Sequence, residues 1–426
     1  MGQQAHSGVD KERIQAAIER RWDEQVAFLQ ELVRTQSVTG DEAAAQQVVA
    51  AKMHDLGLET DVWEPDPSEL APYADHVGEF ESLAGRPNVV GRHRGSGGGR
   101  SLILNGHIDT VEPGDSAQWT HQPFDAVIDG GRLYGRGACD MKAGLATNLF
   151  ALAAVLDAGV PLAGDVIVES VISEEDGGAG TLAAILRGYR ADAAIITEPT
   201  NLAVIPAQGG SLVFRLRITG KSAHAAVRDE GVSAFEKFLP IFRALVEHEA
   251  ERNAAIDHPL YAHIANKIPI NIGVVRAGSW PSSVPEWLIA EGRAGLVPGE
   301  DLDEFRKEFA SVIERAAAED PWLREHPPVL EWFSGQFAPA EVPIDSPLVR
   351  LVQEAHAAVT GETPKIDAAT YGADMRHFLL FGDTPCVMYG AGDVRLAHHA
   401  NESIALDDIK TATLTIALAI ARWCGA

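Results

Sequence analysis

Cysteine is scarce in this chain of 426 residues: there are three, Cys139, Cys386 and Cys424, with no CxxC pair. They can build neither a disulfide scaffold nor a zinc knuckle, and a reducing, cytoplasmic setting is expected. Basic residues are also short, 35 Lys and Arg against 61 Asp and Glu. The formal net charge of -26 argues against phosphate-backbone binding, which needs a cationic face, so nucleic acid is not expected as a partner. Long hydrophobic runs are missing too. The opening MGQQAHSGVDKER holds no apolar segment of signal-peptide length, and the stretch 145–160 is broken by Asn148, Asp157 and Gly159. Neither a membrane span nor an export signal is expected. No internal repeat is present, and GSGGGR at 95–100 reads as a flexible turn.

What is present is the mixture of an ordinary folded protein, 46% hydrophobic and 23% charged, in a chain long enough for two or more domains. Ile14, Ala17, Ile18, Trp22, Val26, Leu29 and Leu32 recur at helical spacing, which predicts a helix over 10–33 with Asp10 as its N-cap. Residues 41–56 read as a second helix stopped by Gly57, and 58–63 as a strand. Between 100 and 207, short apolar runs alternate with Gly-rich loops and helices: LILNGHID, GRGACDMKAG with LATNLFALAAVL, DVIVESVISEED with TLAAILRGY, and DAAIITEPT. This is the pattern of a doubly wound, mainly parallel α/β sheet, whose chemistry gathers at the carboxyl ends of the strands. At 209 the style changes to the one-side-exposed strand LVFRLRITG and the helix 232–249, followed by INIGVVRAG, EWLIAEGRAGL and the helix 301–318. The parallel style returns after 342. The expected division is therefore a catalytic unit of 1–208 and 338–426, interrupted by an α+β unit at 209–337 with two helices on an antiparallel sheet.

Five potential ligands fall at strand ends or in the loops after them. His107 and Asp109 share one side of a strand by period-two alternation, which suits a ligand and its orienting acceptor; a hydrogen-bonded strand-end histidine is the plainer reading. Asp140 lies in a Gly-rich turn before a helix, where an N-cap is the default, although a carboxylate there could bridge two cations. Glu174 and Glu175 end an apolar strand and should point opposite ways, one to a metal and one free to accept a proton; a solvated acidic turn is the alternative. Glu198 closes another strand before Pro199, and His398 and His399 precede the last helix. Each signal is weak alone, and the combination is strong.

NGHIDTV, GRGACDMKAG, ISEEDGGAG, TEPT, GKSAHAA and AHHANE together resemble the zinc deacylases and peptidases that include acetylornithine deacetylase, succinyl-diaminopimelate desuccinylase and aminoacylase. The resemblance runs in order along nearly the whole chain. It implies two divalent metal ions, Zn2+ with Co2+ or Mn2+ as alternatives, one held by His107, Asp140 and Glu198 and the other by Asp140, Glu175 and His398. It further implies Asp109 as the orienter of His107, Glu174 as general base, and the inserted unit as a lid and dimerisation domain. His224, in GKSAHAA, would stabilise the oxyanion, often across a homodimer. His398 is preferred to His399 because the family places a His three residues before Asn-Glu. The implied reaction is hydrolysis of a small N-acyl substrate, with a dipeptidase, carboxypeptidase or formylaminopyrimidine deformylase as alternatives. Two departures bear on the substrate. WPSSVPE lacks the family's Asn before Val-Pro, and Gly295 stands where relatives carry an Arg, leaving Arg293 or Arg276 as substitutes. Arg228 also replaces the usual Pro of the lid loop.

Overall fold

The computed structural model describes the backbone of residues 2–425 and the side chains of residues 10–425. The apolar runs become strands β1 (Glu59–Trp63), β2 (Asn88–His93), β3 (Leu102–His107), β4 (Val166–Val171), β5 (Ala194–Ile196), β6 (Val204–Gln208), β7 (Gly210–Thr219), β8 (Ile270–Ala277), β9 (Trp287–Leu296), β10 (Val329–Trp332), β11 (Ala340–Glu341), β12 (Ile366–Ala369) and β13 (Cys386–Met388). The larger sheet has the order β1-β2-β4-β3-β5-β13-β6-β11, with β12 beside β6. Its centre, β4-β3-β5-β13, is parallel, while β1, β2 and β11 pair antiparallel with their neighbours. Every residue of β3, β4 and β5 is buried, as a parallel sheet covered on both faces requires.

Helices Gly2–Arg34, Ala143–Asp157, Pro347–Thr360 and Leu406–Cys424 pack against one another beside this sheet. The first begins at Gly2, so Asp10 is not the predicted N-cap but an interior position facing Arg13 one turn on. No proline stands upstream to stop the helix. The segment Ala138–Asp157 has the length and apolarity of a membrane span, but 89% of its 18-residue apolar window is buried inside the fold. The protein core already uses its apolar surface.

The second sheet is antiparallel, in the order β8-β9-β7-β10. Helices Ala234–Ala255 and Leu302–Ala318 pack together on it. Both are capped as their sequences require: Ser233 accepts from the Glu236 amide, and Asp301 accepts from those of Asp303 and Glu304. Phe214, Phe238, Leu288, Phe305 and Phe309 form a hydrophobic cluster of their own, each side chain contributing roughly 1.5–3 kcal/mol when fully buried. β8 is one edge of this sheet and most of it is exposed.

Candidate active site

The parallel strands deliver the ligands to one edge. His107 is the last residue of β3, and Glu198 stands two residues beyond β5. Asp140 sits in an irregular turn with φ -120° and ψ 100°, outside the regular helix that starts at Ala143, so it is not the cap its position suggested. Its two oxygens face different histidines: Oδ1 is 3.1 Å from His107 Nε2, and Oδ2 is 3.4 Å from His398 Nε2. Glu198 Oε1 lies 3.9 Å from His107 Nε2, and Glu175 Oε1 lies 3.1 Å from His398 Nε2. Two overlapping trios result, His107, Asp140 and Glu198, then Asp140, Glu175 and His398, each with donor atoms within 4.8 Å of one another. A backbone φ of 59° accompanies the placement of His398 in this cluster, while His399 belongs to neither trio.

One expectation needs correction. Glu174 and Glu175 do not alternate on a strand, because β4 ends at Val171 and Ser173 takes a φ of 60° that starts a turn. Both carboxylates line the same cavity. The ring of His107 is held first by the backbone carbonyl of Asp109, 2.9 Å from Nδ1, with the carboxylate oxygen at 3.6 Å. The Asp109 carboxylate accepts from the amides of Glu174 and Glu175, each at 3.1 Å, and from the Thr39 hydroxyl at 3.0 Å. It docks the turn that carries both glutamates.

The electrostatics of the cluster call for cations. Burial pushes Asp140 up, but hydrogen bonds from His107 and His398 outweigh it and hold the carboxyl below its usual range. Burial raises Glu198, helped by the Asp140 charge, and raises Glu175 against the pull of His398. Glu174 is raised well above an ordinary glutamate by burial, with Asp374, Glu198 and Glu175 adding to the shift against the pull of His107. His398 is pushed up to about 10 by Asp140 and Glu175. Among the described residues, no Lys or Arg ion-pairs with Asp140, Glu175 or Glu198. Concentrated carboxylates with imidazoles at their flanks are the donor set for divalent metals. The residues fit two ions.

The surrounding cavity, about 380 Å³, is lined on its far side by Ser211, Val213, Arg293, Phe337, Tyr371 and Val394. Arg293 is mostly buried, its Nε has no hydrogen-bond partner, and burial lowers its pKa. Arg276 is exposed on β8. His224 is exposed and does not line this cavity; its Nδ1 accepts from the Ala226 amide. One participant was missed from sequence. Glu402 accepts from the amides of Cys139 and Asp140 and from Arg136, pinning the Asp140 turn. Its signal was the acidic residue closing AHHANE.

Residues 103–422, which include every member of the cluster, match the family described as Peptidase family M20/M25/M40. The chain belongs to that family. This M20 chain is 32% identical over 403 residues, 89% of each protein, to N-formyl-4-amino-5-aminomethyl-2-methylpyrimidine deformylase of Bacillus subtilis. It is 30% identical over 370 residues to acetylornithine deacetylase of Myxococcus xanthus, covering 84% of this chain and 90% of the other. The M20 metallo-carboxypeptidase Sso-CP2 of Sulfolobus solfataricus superposes with a TM-score of 0.74, covering 94% and 99% of the two chains at 18% identity, a likeness of fold. The chain is accordingly a metal-dependent hydrolase of amide bonds, of the deacylase and peptidase kind.

Proposed function

We propose that the protein removes an acyl group from an N-acylated amine using two divalent cations, zinc by preference. His107, Asp140 and Glu198 hold one, and Asp140, Glu175 and His398 hold the other. The observation that carries this reading is the placement of Asp140, whose two oxygens face His107 and His398 with a further carboxylate beside each. Cations bound there supply a Lewis acid for the amide carbonyl and acidify water. Cobalt and manganese suit the same donors.

Glu174 is the general base. Its carboxylate lines the cavity without a hydrogen-bond or ion-pair partner among the described residues, and burial gives it the raised proton affinity that this work needs. It takes a proton from water and returns it to the leaving amine. Asp109 keeps Glu174 in place through its amide.

The likeness to the pyrimidine deformylase over 89% of the chain favours a formylated aminomethylpyrimidine, whose flat ring suits the wall of Phe337 and Tyr371. Arg293 favours a second substrate, an N-acyl amino acid, because a desolvated guanidinium without a partner prefers an anion. A second copy of the chain is the partner we propose. Phe235, Phe242 and Val246 form an exposed apolar stripe on the helix Ala234–Ala255, the neighbouring sheet edge β8 is open, and His224 stands outside the cavity of its own chain's ligand cluster. Three free, buried cysteines suit a reducing cytoplasm, and the acidic charge disfavours nucleic acid and anionic membrane surfaces.

The test is a panel of N-formyl, N-acetyl and N-succinyl amino acids, formylaminopyrimidines and dipeptides, offered to protein loaded with zinc, cobalt or manganese. Turnover of N-acyl amines is expected. Turnover confined to dipeptides would contradict the deacylase reading.

A further inference from the structure

The turn at 173–178 carries Glu174 and Glu175 but belongs to no strand. Within it, the Gly177 amide donates to the Glu174 carbonyl and the Gly178 amide to that of Ser173. It is also gripped from outside, at its far end, by Arg376. This side chain is fully buried. Its Nη2 donates to the Gly177 carbonyl at 2.7 Å, and its Nη1 donates to the Ala373 carbonyl at 2.6 Å. The guanidinium carbon lies over the Phe337 ring, 3.8 Å from its centroid.

Phe337 stands where the inserted unit joins the larger one. It exchanges both backbone hydrogen bonds with Ser211, at the start of β7, and its ring lines the substrate cavity. Two residues earlier, Gly335 meets the same turn: a Cβ there would fall 2.3 Å from the Gly177 Cα and 2.7 Å from the Asp176 carbonyl oxygen. The segment returning from the second sheet therefore presses backbone to backbone on the turn that carries the base.

Burying a guanidinium is expensive, and a structural arginine normally recovers that cost in a close carboxylate pair. Arg376 does not. Asp374 Oδ1 is 3.9 Å away, the Nε has no partner, and burial lowers the pKa to about 10, which leaves the side chain charged. Its donors go instead to the main chain of the base turn and of the loop bearing Tyr371 and Gly372, two cavity-lining residues.

We infer that Arg376 is a positioning residue for hydrolysis, locking the turn of Glu174 to the root of the inserted unit through the Gly177 carbonyl and the Phe337 ring. The inference rests on the reading of Glu174 as base. Base and cavity wall then keep one spatial relation whatever the inserted unit does.

Arg376→Lys keeps the charge and loses the planar donor pair, and Gly335→Ala pushes on the backbone of the turn without altering any polar side chain. In metal-loaded protein, kcat is expected to fall about 100-fold in either variant, the cost of a base misplaced by about 1 Å. KM should stay within about threefold, bound metal should be unchanged, and the amides of 174–178 should exchange faster with deuterium. If Arg376→Lys fails to fold, Gly335→Ala carries the test. Folded variants whose kcat stays within about twofold of wild type, or whose turn exchanges at the wild-type rate, would overturn the inference. If wild type hydrolyses no amide with any metal, the proposed function fails instead, and the exchange measurement still reads the coupling.

Discussion

The two candidate metal positions share Asp140 and differ in almost everything else. His107 and Glu198 hang from adjacent strands β3 and β5 and are buried. His398 comes from a loop, its side chain is 51% exposed, and a left-handed backbone turn aims it. The first position is therefore preformed by the sheet, and the second is completed by a residue of an exposed loop. A metal at the second should exchange with solvent more readily, and its loss should leave the first in place.

The sharpest way to break this contrast is Asp140→Ala, which removes the residue common to both trios. Metal content should fall below one ion per chain and kcat/KM by about 10³-fold or more, several kcal/mol of barrier. Two ions still present by elemental analysis would end the shared-ligand account. His398→Ala should empty only the second position, leaving one ion per chain and kcat lower by about 100-fold. His399→Ala, the adjacent control, should stay within about twofold; the reverse pattern would reassign the ligand. Asp109→Asn keeps the backbone carbonyl that holds His107 but weakens the dock for both glutamate amides. A loss of about 10- to 100-fold is expected, falling on kcat more than on metal affinity, as separate titration and kinetics would show.

The last effect is that of pH on the second metal. In the metal-free protein Asp140 and Glu175 hold a proton on His398 to about pH 10, and a metal needs the imidazole neutral. Binding expels that proton, so affinity should rise about tenfold per pH unit for each proton released. Competitive chelation at pH 6 and pH 8 measures the slope, and a flat response contradicts the assignment. Stability of the metal-free fold runs the other way. The raised pKa contributes fully below the unfolded value of 6.5 and is lost as pH rises through about 10.

The same contrast divides what the sequence discloses. His107 and Glu198 are legible because an apolar run followed by a Gly-rich loop or a proline places its last polar residue at the carboxyl edge of a parallel sheet. His398 is legible only through motif spacing, since nothing in RLAHHANES announces a φ of 59°. The turn at 174 and 175 is misread as strand because alternation cannot show that Ser173 leaves the β region. Arg376 and Glu402 stay hidden for another reason. Arg376 grips a carbonyl 199 positions away, and Glu402 an amide 263 away, so each reads locally as an ordinary charged residue. Arg293 is apparent as a cation, but its lack of a partner is a property of the folded cavity alone.

The most direct test of the account is Glu174→Gln in protein loaded with two metals. The substitution preserves the shape of the side chain and removes its basicity. With two ions still bound by elemental analysis, hydrolysis of the best N-acyl substrate should fall by about 10²- to 10⁴-fold, the range of a lost general base. If the variant holds both ions and turns over at the wild-type rate, Glu174 is not the base and the proposed mechanism is wrong.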